Sequence, residues 1–82
     1  MNAKEARENA RDFYYKIIDE DAELKKRLEE INGIIVEYSK NGLIDAHIES
    51  NAVPAVIVNY LELSGFEVFY TDDKILVIMW GD

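Results

Sequence analysis

The run Ile75-Leu76-Val77-Ile78-Met79-Trp80 is apolar at every position, bounded by Lys74 and Gly81. Read as a strand, it alternates its side chains, sending Ile75, Val77 and Met79 to one face of a sheet and Leu76, Ile78 and Trp80 to the other. A strand that is apolar on both faces belongs at the centre of its sheet and needs cover on both sides. Leaving Leu76, Ile78 and Trp80 in water forgoes burial free energy comparable to the whole stability of a small domain. Helices, or a second copy of the chain, must therefore lie over this strand.

Working outward, Phe66 to Thr71 pairs with this strand as a hairpin across Asp72-Asp73-Lys74, where the paired acids are turn chemistry. Upstream, Pro54 opens a helix at its first position; Val56, Ile57, Tyr60, Leu61 and Ser64 face inward and Gly65 closes it. Leu43 to Glu49 alternates between Ile44, Ala46, Ile48 and Asp45, His47, Glu49, as a half-exposed strand does. The Pro54 helix is expected on one face of a three-stranded sheet. Helices from the first forty residues are expected on the Leu76, Ile78 and Trp80 face.

Those forty residues carry apolar side chains at a seven-residue interval: Ala3, Ala10, Ile17, Leu24, Ile31 and Tyr38. Charge pairs four apart, Asp12 with Lys16, Asp21 with Lys25, Glu23 with Arg27 and Lys26 with Glu30, support helix on the opposite face. One unbroken helix over this span is about 55–60 Å long, whereas a compact chain of this size is about 30 Å across. The break falls at Asp19-Glu20-Asp21, where acids suit a helix N-terminus and Asp21 can cap. This gives helices over about 3–18 and 21–40. A competing hairpin pairs Ile34, Val36 and Tyr38 with Ile44, Ala46 and Ile48 across Lys40-Asn41-Gly42; the stripe through Ile31, Ile35 and Tyr38 favours the helix, with Gly42 as its stop. The expected architecture is α+β, in the order ααβαββ, with helices packed on a three-stranded mixed sheet. Residues 1–82 form a single domain in which 1–20 are an N-terminal helical arm.

The 82 residues leave no room for a second folded unit, and a 49% hydrophobic content argues against disorder. Nine Lys plus Arg against 17 Asp plus Glu give a formal charge of −8, a field that repels nucleic acid and anionic lipid. Without cysteine there is no disulfide, thiolate nucleophile or cysteine-ligated metal. No apolar run approaches the ~20 residues needed to span a bilayer, and the opening residues are polar, so a cytoplasmic protein is expected. So small a core invites an oligomeric partner, here a second copy along Ala3, Ala10, Phe13 and Ile17.

Three constellations invite a functional reading. Asp45, His47 and Glu49 form a carboxylate-imidazole-carboxylate row, but alternate strand residues stand about 6.6 Å apart, too far for one ion to gather all three. An exposed strand face accounts for them more simply. Arg7, Arg11 and Tyr15 recur at four-residue steps on the first helix, a stripe able to grip a phosphate with two guanidiniums and stack a base on a phenol. A solvated helix face is the competing account of that stripe. Asp19, Glu20, Asp21, Glu23, Glu29 and Glu30 lie close enough in sequence to imitate a phosphate backbone. No Ser-His-Asp spacing, phosphate-cradling glycine loop, dinucleotide fingerprint or zinc motif is present, so no enzyme, cofactor or metal is expected.

Ala3-Lys4-Glu5-Ala6-Arg7, the Ile31, Ile35, Glu37 helix ending in Asn41-Gly42, Val53-Pro54, Tyr60-Leu61, Gly65-Phe66-Glu67-Val68 and the terminal Ile78-Met79-Trp80 together resemble small uncharacterised proteins encoded by tailed bacteriophages and prophages. The resemblance spans nearly the whole chain; such proteins often end Ile-Ser-Trp, where this chain has Met79 in place of the serine. It implies an accessory role in the infected host cell, such as countering a defence, and carries over no catalytic residue. The expected function is a non-enzymatic, self-associating binding protein that sequesters a small anionic nucleotide signal at an oligomer interface through Arg7, Arg11 and Tyr15. The alternative is an acidic inhibitor or nucleic-acid mimic that binds a host protein.

Overall fold

The computed structural model of the chain describes residues 1–49, 53–71 and 74–81. Three helices, α1 (Ala3–Asp19), α2 (Ala22–Lys40) and α3 (Ala55–Leu63), accompany three strands, β1 (Asp45–Glu49), β2 (Glu67–Tyr70) and β3 (Ile75–Met79), in the order ααβαββ. The class is α+β.

The helices start and stop where side-chain chemistry allows. Asn2 caps α1 by accepting the Glu5 N–H at 2.9 Å. Asp21 caps α2, its Oδ1 accepting the N–H groups of Glu23 at 3.0 Å and Leu24 at 3.2 Å. That role takes Asp21 away from the Lys25 pairing that helical spacing suggests. Lys25 reaches back across the break to Asp19 at 3.2 Å, and this carboxylate's hydrogen bond and charge raise the lysine pKa. Asp21→Ala removes the acceptor of two N–H groups and is expected to lower stability by about 1 kcal/mol, a fall in melting temperature of roughly 4–8 °C. Asp21→Asn, which keeps the acceptor, should retain most of it; equal losses in the two thermal melts would show that the cap contributes nothing.

The segment 34–40 is helix, so the competing hairpin does not form. Both α2 and α3 end in a left-handed glycine, Gly42 at φ +82° and Gly65 at φ +102°. In each case the glycine N–H and the next one turn back onto the last helical turn: Gly42 to Ser39 and Leu43 to Tyr38, Gly65 to Glu62 and Phe66 to Leu61. This pairing satisfies carbonyls that a helix end leaves open, and the positive φ makes glycine the fitting residue. Pro54 stands one place earlier than expected, as the cap itself, with φ −61° but an extended ψ of 148°.

The sheet order is β1-β3-β2, and both neighbouring pairs are antiparallel, with Ala46 opposite Ile78 and Phe69 opposite Val77. The expected mixed sheet is thus corrected to an all-antiparallel one. The strands β1 and β2 do run the same way, as a crossover through α3 requires, but β3 lies between them, so no parallel pair forms. The doubly apolar strand takes the centre.

One core lies under this sheet. Leu76 and Ile78 are fully buried with Ile18, Ile31, Ile57 and Leu61, and Leu28 and Ile48 are buried in the same cluster. The helix α2 packs over β1, α3 over β2, and α1 chiefly against α3 and α2. All three helices therefore contribute to the Leu76 and Ile78 side, and the expectation of the Pro54 helix on the opposite face is corrected. Ile57 and Leu61 of α3 are drawn to the same apolar cluster that α2 enters, because one thick core removes more area from water than two thin ones. On the open face Ile75 and Met79 are half-buried; Val77 is buried, flanked in register by His47 and Phe69. Trp80 fastens the chain end: its backbone N–H donates to the Ile44 carbonyl at 2.9 Å and its indole Nε1 to the Leu43 carbonyl at 3.1 Å. Beyond it, Gly81 passes so close to Ile44 that an added Cβ would stand 2.6 Å from Ile44 Cβ. The proposed turn acids Asp72 and Asp73 lie outside the described residues.

Candidate functional site

Because α1 runs antiparallel to α3, its first turns meet the end of that helix while Tyr15 meets its middle. Between them opens a cleft of about 270 Å³ lined by Lys4, Arg7, Glu8 and Arg11 from α1 and by Glu62, Leu63, Ser64 and Gly65 from the end of α3. A second recess of about 220 Å³, lined by Tyr14, Asn59, Glu62 and Leu63, shares two of those residues and continues along the same groove.

The structure thus brings Arg7 and Arg11 to one cleft and leaves Tyr15 outside its lining. The Tyr15 ring lies 5.7 Å from that of Tyr60, while Tyr14 occupies the adjoining recess. Consecutive helical residues point about 100° apart. The two tyrosines therefore flank the arginine stripe on either side, and the position of α3 decides which of them meets the groove. Sequence reasoning also passed over Lys4, Ser64 and Asn59. Lys4 was findable, since it stands three before Arg7 and shares its face. Nothing local marks Ser64 or Asn59, which arrive through packing some fifty residues away.

Three cations face two carboxylates, Glu8 and Glu62, in the cleft. Among the described residues Lys4 and Arg7 pair with no carboxylate, and Arg11 reaches only Asp12, at 3.8 Å. The cleft is therefore locally cationic in an acidic chain. Part of that charge answers the negative end of the α3 dipole, which interacts favourably with nearby cations. The Ser64 hydroxyl is turned inward, donating to the Tyr60 carbonyl at 2.8 Å.

The other constellations offer less. His47 Nε2 stands 3.7 Å from Asp45 Oδ2 on an exposed strand face, and no group of three metal-capable residues occurs among the described residues. The acids from Asp19 to Glu30 are exposed but interleaved with cations, Lys25 meeting Asp19 and Arg27 meeting Glu30 at 3.3 Å, which breaks up a phosphate-like rail. On α1, Phe13 is 61% exposed and Ile17 lies at the surface, so part of the expected self-association stripe is open to solvent. No helix among the described residues is long and apolar enough to cross a membrane. Compared with protein-family models, curated proteins and solved structures, the chain matches none.

Proposed function

We propose that this chain is a non-enzymatic binding protein that holds a small phosphate-bearing molecule of the nucleotide class in the groove between α1 and α3. The observation that supports this reading is the convergence of Lys4, Arg7 and Arg11 on one cleft that adjoins a Tyr14 and Asn59 recess. Guanidiniums hold phosphate oxygens by charge-assisted, often bidentate, hydrogen bonds. A phenol ring beside them supplies a stacking surface for a base, and a side-chain amide can both donate to and accept from its edge. The cleft volume of about 270 Å³ sits at the small end for ligand sites, suiting one phosphorylated group with the ring lodged in the neighbouring recess. Such a protein lowers the free concentration of its ligand without chemistry, which is how a phage accessory protein would blunt a host nucleotide signal.

Calorimetry with cyclic nucleotides, cyclic dinucleotides and ADP-ribose tests the reading. Binding is expected to weaken about tenfold or more in Arg11→Ala, the loss of one charge-assisted contact, while the melting temperature changes little. No heat with any of these ligands, or affinity unchanged by Arg11→Ala, overturns it. The competing reading, an acidic surface that engages a host protein, predicts a complex that weakens as salt rises. The interleaved lysines of α2 give it less support.

A further inference from the structure

The two edges of the sheet are not equivalent. In β1 the Trp80 N–H bonds the Ile44 carbonyl, so Ile44, Ala46 and Ile48 turn their backbone groups toward β3, and Asp45, His47 and Glu49 turn theirs to the free edge. A second β1 laid antiparallel on this edge at full overlap would set Asp45 opposite Glu49, like charges face to face. This edge is guarded in the way natural sheets avoid pairing.

The other edge carries no such guard. In β2 the Thr71 N–H bonds the Ile75 carbonyl at 2.9 Å, so Glu67 and Phe69, of the same parity, face β3 with their backbone groups. The N–H and C=O groups of Val68 and Tyr70 consequently face outward. The strand contains no Pro, Lys or Arg and one charge, Glu67. Phe69 is 46% exposed and Tyr70 58%.

We propose that a second copy of this chain adds its β2 antiparallel to β2, joining two three-stranded sheets into one of six strands about a two-fold axis at Phe69. Opposed residues in an antiparallel pair must share a face, and of the registers this allows, the one centred on Phe69 opposes Val68 to Tyr70 twice and so makes the most hydrogen bonds; Phe69 then meets its counterpart and Glu67 meets Thr71. The outward groups of Val68 and Tyr70 then exchange four hydrogen bonds. No like charges are opposed, and the two Phe69 rings close over the apolar strip beside Val77 on the open face. Self-complementarity in both hydrogen bonding and charge selects the second copy as the occupant. This inference does not depend on the α1–α3 cleft.

Sedimentation equilibrium of the full chain over about 1 µM to 1 mM should show a species of twice 9.5 kDa. Phe69→Lys, which opposes two cations on the axis, and Tyr70→Pro, which deletes an N–H that faces away from β3, should each raise the dimer dissociation constant about tenfold or more. His47→Lys on the guarded edge and Phe13→Lys on α1 should leave it unchanged. The chain has no cysteine. Phe69→Cys therefore provides a second measurement: across a pair whose Cα atoms lie about 4.5 Å apart it should form an interchain disulfide on mild oxidation, and His47→Cys should not. A monomer at every concentration, dissociation by Phe13→Lys rather than Phe69→Lys, or equal cross-linking by both cysteines overturns the proposal.

Discussion

Ile78→Ala is expected to lower the stability of this domain by about 3–4 kcal/mol, whereas Ile75→Ala, on the same strand, costs less than about 1 kcal/mol. The two substitutions delete the same atoms; they differ in what lies against them. Ile78 is fully buried beneath the helices, between Ala46 and Val68 in register. Its loss forfeits transfer free energy and leaves a cavity that a close-packed core cannot fill. Ile75 sits at the start of β3 on the open face, already in partial contact with water. For a chain of this length the whole folding free energy is roughly 4–12 kcal/mol, so the first change consumes a large fraction of it. Urea and thermal unfolding followed by circular dichroism should show a fall in melting temperature of roughly 15–30 °C for Ile78→Ala and a few degrees for Ile75→Ala. Equal losses would mean that a further layer covers Ile75, Val77 and Met79, contradicting the one-sided arrangement of the helices.

Ile18→Ala is the second large effect, and it links packing to the cleft. Ile18 is the single buried residue of α1. The rest of the helix rests on half-buried contacts such as the Tyr15 and Tyr60 rings. Removing this anchor should cost about 3 kcal/mol and release α1 preferentially, because the α2, α3 and sheet core persists without it. Amide hydrogen exchange should then accelerate about tenfold or more along residues 5–17, while the amides of β3 exchange only through global unfolding. The groove needs α1 to hold Lys4, Arg7 and Arg11 against Ser64 and Gly65, so nucleotide binding should weaken along with that protection. Phe13→Ala on the same helix, exposed to solvent, should stay within about 0.5 kcal/mol of the parent. Unchanged exchange in α1 after Ile18→Ala would show that the helix is held by something other than this side chain.

Local features of the fold were legible from the residues. Asp21 caps because its carboxylate reaches two unbonded N–H groups within three residues of itself, and Gly42 and Gly65 stop helices because glycine adopts the positive φ of the closing turn without strain. Such signals act over a few residues and need no tertiary partner. The helical reading of 34–40 was harder, since Ile34, Val36 and Tyr38 also alternate; the Ile31 and Ile35 stripe, buried against the core, decided it. In the cleft, Arg7 and Arg11 were visible as a helical stripe. The expected Tyr15 stands outside the cleft's lining and Tyr14 lines the adjoining recess, because the two flank that stripe and only the placement of α3 distinguishes them.

By itself, the sequence determined the α+β class, the order ααβαββ, the break at Asp21 and the central place of Ile75–Met79, because periodicity and capping are encoded within single segments. Tertiary structure alone decided that the helices share one face of the sheet, that β3 threads between β1 and β2, that Ser64 joins the α1 cations and that Asn59 joins Tyr14 in the adjoining recess. An apolar stripe records that a face must leave water; it carries no record of which of several equally apolar surfaces will receive it.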